Sequence, residues 1–180
     1  TGANTNSEIR GISIGAGASA HYQGISVGFE SKASGIGSIA TGVGSTAAGL
    51  SAIATGSNAT SSGIASIAVG DKSKATAGYA VAIGDKASAA NLNAISIGKN
   101  IQNGSIGATA IGGGADIGGY SENSIAIGTG ATVGVKYTEK TNEKKEKIKV
   151  RDSSLNNKRA IAIGYNAKAL AEQGISIGTG

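Results

Sequence analysis

Proline, cysteine, methionine and tryptophan are all absent from these 180 residues, and Phe29 is the only phenylalanine. Leucine occurs only at 50, 92, 155 and 170. Without cysteine there is no disulfide scaffold, no thiol nucleophile and no thiolate metal site. With so little Leu, Phe and Met, an ordinary globular core cannot be filled. The lack of proline, with no glycine at every third position, excludes a collagen helix. Charged residues make up 15 % against 39 % hydrophobic ones, too apolar a balance for a chain held open by repulsion. No apolar run lasts more than a few residues, so no segment is long enough for a membrane-spanning helix. Thr1 opens no signal peptide, so the chain is expected to be an interior piece of a longer protein.

What is abundant is glycine, 31 residues in all, and it is periodic. A five-residue unit, small–Ile/Val–Ala/Ser–Ile/Val/Thr–Gly, runs through the chain as Gly11-Ile12-Ser13-Ile14-Gly15, Gly24-Ile25-Ser26-Val27-Gly28, Ser38-Ile39-Ala40-Thr41-Gly42, Ala52-Ile53-Ala54-Thr55-Gly56 and Ser66-Ile67-Ala68-Val69-Gly70. Later copies close at Gly84, Gly98, Gly112, Gly128, Gly164 and Gly178, so the spacings are 13, then 14 six times, then 16, 36 and 14. Eleven copies in register mark a repeat architecture.

Each copy alternates with period two and reads as a short β-strand. Ile95 and Ile97 share one face and Ser96 looks to the other. The middle residue is Ala or Ser in every copy, where a wet face would carry some long polar side chains. This pattern predicts isoleucines lining the interior of each coil, with another backbone packed closely against the small-residue face. A second strand follows each glycine, as at Ala18/Ala20, Ser31/Ala33, Ser45/Ala47, Ser73/Ala75, Ala87/Ala89, Ala131/Val133 and Ala167/Ala169, with Lys32, Lys74 and Lys168 on a wet face between them. Two strands and two tight turns account for one full period per coil, the closing glycine supplying the positive φ of a sharp corner. The coils then stack into two parallel ladders, about 4.8 Å per coil, giving a rod roughly 50 Å tall. So thin a coil buries little apolar area alone, and self-association through the small-residue face is the expected remedy.

Repeated Ile-Ala-Ile-Gly or Ile-Ser-Ile-Gly at this regular period, each followed by a small–x–small strand, resembles the head of trimeric autotransporter adhesins, the YadA-like head. The resemblance covers about residues 9–180 apart from one insertion. It implies an all-β, left-handed parallel β-roll assembled as a homotrimer, a single head domain over 1–180, with roll repeats at about 9–133 and 160–180 and a charged insertion at about 134–159. It further implies type V secretion, display on a bacterial cell surface, and attachment to host cells or to extracellular-matrix proteins such as fibronectin, laminin or collagen. The family's outer-membrane anchor, coiled-coil stalk and neck motif are not in this sequence. The lysine-rich insertion late in the head is similar to the ubiquitous surface protein A adhesins of Moraxella.

Between Gly128 and Gly164 the spacing is 36 where the regular period is 14, so an extra segment is inserted there. The charged part, Lys136 to Arg159, holds nine basic and four acidic residues, while the rest of the chain has seven of each, so the whole net charge of +5 sits here. Val135, Tyr137, Ile148 and Val150 alternate with polar residues across a turn region at Thr141-Asn142-Glu143, which predicts a β-hairpin with arms reaching on the order of 20–25 Å. A short helix over Glu139–Lys149 is the alternative, given its Lys and Glu content. The charge is either a solubilising loop or a contact, through Lys144, Lys145, Lys147, Lys149 and Arg151, for a matrix protein's acidic patch or an acidic glycan. With one Tyr and no stacking platform, nucleic acid is a poor partner.

Little else carries chemistry. His21 is the only histidine, so one chain holds no triad or His-paired metal site, and His21 is expected on a turn rather than gathered at a three-fold axis. Gly112-Gly113-Gly114-Ala115-Asp116-Ile117 is loosely like a calcium-binding β-roll repeat, which requires its Asp in successive turns. Asp71-Lys72 and Asp85-Lys86, one period apart, are placed to pair between stacked turns at no more than about 1 kcal/mol per pair. Neither a cofactor nor a metal is expected, and no catalysis. Three rival readings compete with the adhesive one. A hexapeptide-type acyltransferase on a left-handed β-helix needs three strands and a longer period per coil. An ice-binding solenoid needs a flat threonine array. The third is a purely structural spacer of a surface fibre.

Overall fold

In a computed structural model, which describes residues 6–7, 10–141, 147–152 and 157–180, the chain is a parallel β-solenoid. Two sheets of eleven strands face each other. One, the isoleucine sheet, stacks three-residue strands from Ile12–Ile14 to Ile175–Ile177. The other, the facing sheet, stacks two-residue strands from Asn6–Ser7 to Lys168–Ala169. Every rung repeats in register: Ile53, Ile67 and Val81 form one column, and Ala54, Ala68 and Ala82 the next. Backbone hydrogen bonds tie each coil to its neighbours, as in Ile53 N–H to Ser66 O at 2.9 Å and Gly56 N–H to Thr41 O at 2.8 Å.

The strand assignments, the coil length and the wet face at Lys32, Lys74 and Lys168 agree with the sequence reading, but the two faces of the isoleucine sheet are reversed. Ala40, Ala54, Ala68, Ala82, Ser96, Ala110, Ala126 and Ala162, the middle residues, are completely buried and line the interior of the coil. The flanking Ile and Val residues point outward, and Ile97 is 37 % exposed. Coil width is the physical reason. A coil this short, with two corners to turn, leaves the two sheets so close that little more than a methyl or hydroxyl fits from each side. Ala33, Ala47, Ala75 and Ala89 fill the lumen from the facing sheet.

Among the described residues, larger groups fill the lumen in the later coils, at Ile101, Asn103, Ile117 and Val133. Two of the strands concerned, Gln102–Asn103 and Asp116–Ile117, break the small–x–small pattern that marks the others. Asn103 is held there because its amide donates to Ala108 O at 2.7 Å and Ile95 O at 3.0 Å, so the buried amide is not left unpaired. Elsewhere lumen hydroxyls pair with each other, Ser26 with Ser31 at 2.6 Å.

The corners select residues by backbone conformation. In the turn that follows each isoleucine strand, the closing glycine has a strongly positive φ, as at Gly42 (126°) and Gly84 (125°), and stacks on the closing glycine of the next coil. A Cβ on Gly56 would lie 2.5 Å from Gly70 O. The apex of the turn preceding each isoleucine strand is different. There φ is 54° at Ser51, 50° at Ala65 and 56° at Tyr79, the left-handed region that single L-residues can enter at modest cost.

Candidate functional site

Three surfaces of the roll differ in character, and the first is the outer face of the isoleucine sheet. Its outward positions, two per strand, hold only Ile, Val and Thr. Towards the two ends exposure rises, to 50 % at Ile12 and 74 % at Ile177. Beside this stripe, the turns carry a further column of exposed Tyr22, Ile36, Leu50, Ile64, Leu92 and Ile106, no more than one to a coil. Isolated soluble chains seldom leave a contiguous apolar face beyond a few hundred Å² in water, and larger ones mark interfaces. The small-residue face, expected to pack against other chains, lies inside the coil, and the outward apolar face is this one.

The second surface is the insertion. Lys136–Thr141 and Lys147–Asp152 form an antiparallel pair that is a sheet of its own, separate from the roll. The hairpin arms replace the helix alternative over Glu139–Lys149. Lys147, Lys149 and Arg151 occupy alternate positions of the second arm, opposite Thr141, Glu139 and Tyr137. Lys144 and Lys145, with Asn142 and Glu143 of the expected turn, lie outside the described residues. The structure thus brings three of the five basic candidates onto one strand.

Where the insertion rejoins the roll it is anchored by hydrogen bonds. Ser124 Oγ donates to Asn157 O at 2.8 Å and accepts from Ala160 N–H at 3.0 Å, while Lys158 Nζ lies 3.3 Å from Glu122. Across the excursion the stack continues in register, Ala126 opposite Ala162 and Ile127 opposite Ile163.

The YadA head domain repeat matches residues 22–45, 33–59, 61–87, 75–100, 121–133 and 156–180, together more than half of the chain. The chain belongs to the YadA head family. YadA-like heads are adhesin domains of trimeric autotransporters, surface proteins anchored in the bacterial outer membrane, and they are generally not enzymes. No individual curated protein matches the chain.

The remaining candidates fit a YadA-like head without chemistry of their own. His21 is exposed at a turn, its carbonyl accepting from Gly24 N–H at 2.8 Å. Asp116 is buried in the facing sheet with Gln102 and Thr132 as register neighbours, so no aspartate recurs in successive turns as the calcium repeat requires. Among the described residues no three His, Asp or Glu side chains converge to hold a metal, and no helix is long and apolar enough to cross a membrane. The expected cross-turn pairing is shifted by one coil. Asp71 pairs with its own neighbour Lys72 at 3.5 Å, and the bond between coils is Lys99 to Asp85 at 3.7 Å.

The third surface, on the outer side of the facing sheet, gathers Lys72, Lys74 and Lys86 around one depression. Sequence reasoning missed it because these lysines become neighbours only once the coils stack in register.

Proposed function

We propose that this YadA-like head is a left-handed homotrimeric rod that attaches a bacterial surface to host extracellular-matrix proteins such as fibronectin, laminin or collagen, or to host cells. The observation carrying the proposal is the uncharged Ile/Val/Thr face along the full length of the isoleucine sheet. In a closed three-fold assembly each chain turns that face to the axis, which buries it without leaving a free end for further copies. The rest of the surface is then available for attachment. At roughly 25 cal/mol per Å², burial of such a stripe is the dominant stabilisation open to a chain whose own lumen is mostly methyl groups.

Ligand contact is assigned to the basic insertion, through Lys144, Lys145, Lys147, Lys149 and Arg151, against an acidic patch of the partner. Each exposed contact contributes about 0.2–1 kcal/mol. Three symmetry-related copies, and many adhesins on one cell, raise the effective concentration enough for firm attachment.

Removing residues 137–158 restores the regular spacing from Gly128 to Gly164 and keeps Arg159 at the turn apex, where its φ is 57°. The shortened head is expected to keep its β circular-dichroism spectrum and its oligomeric mass, yet bind immobilised matrix proteins more weakly. Binding by the intact head should fall between low and physiological salt. Equal binding by the two at every salt concentration would reduce the insertion to a solubilising loop.

A further inference from the structure

Outside the insertion, the described surface holds a shallow open depression of about 570 Å³ on the outer side of the facing sheet. Lys74, Ser88 and Gln102 are three consecutive rungs along it. Lys72 and Lys86 rise beside them from equivalent turn positions of adjacent coils, at φ 52° and 54°. Coil stacking separates equivalent positions by about 4.8 Å, so the ammonium groups line a trough along the rod axis instead of a closed pocket.

The charge there is incompletely neutralised. Lys72 is 3.5 Å from Asp71, and Asp85 is drawn to Lys99. Among the described residues, Lys74 and Lys86 have no carboxylate within ion-pair distance. The other polar side chains along the trough are neutral, the exposed Gln102 and Asn100 amides and the half-buried Ser88 hydroxyl. Because the facing sheet lies across the lumen from the isoleucine sheet, its outer side stays open to solvent when the isoleucine face is covered.

We infer that Lys72, Lys74 and Lys86 form a binding trough for a sulfated oligosaccharide. An extended polyanion matches a row of point charges repeated along an axis, and the amides and hydroxyl suit sugar hydroxyl groups. Lys, unlike Arg, imposes no planar two-point geometry of the kind carboxylates favour. An acidic peptide is the poorer fit, since the trough offers no aromatic or deep apolar pocket for an anchoring side chain. The inference deepens the adhesive reading but sits on residues separate from the insertion.

The test is titration of the whole chain with a heparin-derived octasaccharide, at low and physiological salt, using parent, Lys74→Gln/Lys86→Gln, and Lys32→Gln/Lys168→Gln. The last pair alters exposed lysines of the same sheet away from the trough. The trough variant is expected to bind about tenfold more weakly, with the β spectrum unchanged, and the control about as well as the parent. A chemically desulfated octasaccharide should bind the parent no better than the trough variant binds the sulfated one. Equal weakening by the control pair, or no weakening by the trough pair, overturns the assignment. Equally tight binding of a poly-glutamate peptide at the same lysines would replace the sugar with an acidic peptide. If only removal of 137–158 abolishes octasaccharide binding, the trough fails while the adhesive reading of the insertion stands.

Discussion

Gly56→Ala is expected to prevent stacking of the coils around it, and loss of the cooperative thermal transition is the measurement that checks it. At φ +131° the alanine would occupy a region open in practice to glycine alone, and its Cβ would lie 2.5 Å from Gly70 O, a backbone atom that cannot swing aside. Such a conformation costs on the order of 1–3 kcal/mol before any clash is relieved. Displacing a whole coil adds more, and a solenoid held mainly by nearest-neighbour contacts transmits the damage along the stack. Gly37→Ala supplies the contrast. There φ is +64° and the nearest atom to a new Cβ is Ser51 Oγ at 3.9 Å, and later coils already carry Ser51 and Ala65 at the same corner. That change should cost about 1 kcal/mol. Equal losses from the two substitutions would mean that the glycine column is not what sets the coil spacing.

Ala68→Asp is the second change with a large expected effect. Ala68 is fully buried between Ala54 and Ala82 in the column that fills the lumen. A carboxylate there has neither water nor a cation to meet, so it must unfold the coil or take up a proton, at several kcal/mol either way. Thermal unfolding at neutral pH is expected to shift far more for Ala68→Asp than for Lys74→Asp, whose side chain is exposed on the facing sheet. If Ala68→Asp unfolds like the parent, the lumen is wet and the burial of the middle column is misassigned.

The spacing of the closing glycines was sufficient to read the coil length, the short strands and the parallel ladders, because the period recurs whether or not the inside of the coil is known. Alternation was not sufficient to say which face is inside. Period two separates Ile95 and Ile97 from Ser96, and the general preference of isoleucine for interiors then favours the wrong side. What decides the matter is the width of so short a coil, a three-dimensional quantity, together with the fact that an apolar face turned outward can be buried by other chains. The same alternation succeeded in the insertion, where Tyr137, Ile148 and Val150 marked two hairpin arms. It failed at Gln102–Asn103 and Asp116–Ile117, whose lumen positions are filled by Ile101, Asn103 and Ile117 in place of Ala or Ser. Of the charged surfaces, the insertion stood out as a run of residues. The trough at Lys72, Lys74 and Lys86 did not, since its members are brought together by register and not by sequence proximity.

If the outward isoleucine face holds the chains of this YadA-like head together as a trimer, charge placed on that face must separate them. Sedimentation equilibrium on the parent chain and on Ile83→Asp/Ile97→Asp reads this out. These two residues are register neighbours on that face, each more than a third exposed in the single chain, so aspartates there can reach water unless another chain covers them. The parent is expected at about three times 17.3 kDa and the variant at a single-chain mass, with the β spectrum retained. A variant that remains trimeric, or a parent that sediments as a folded single chain at high concentration, would contradict assembly through the isoleucine face.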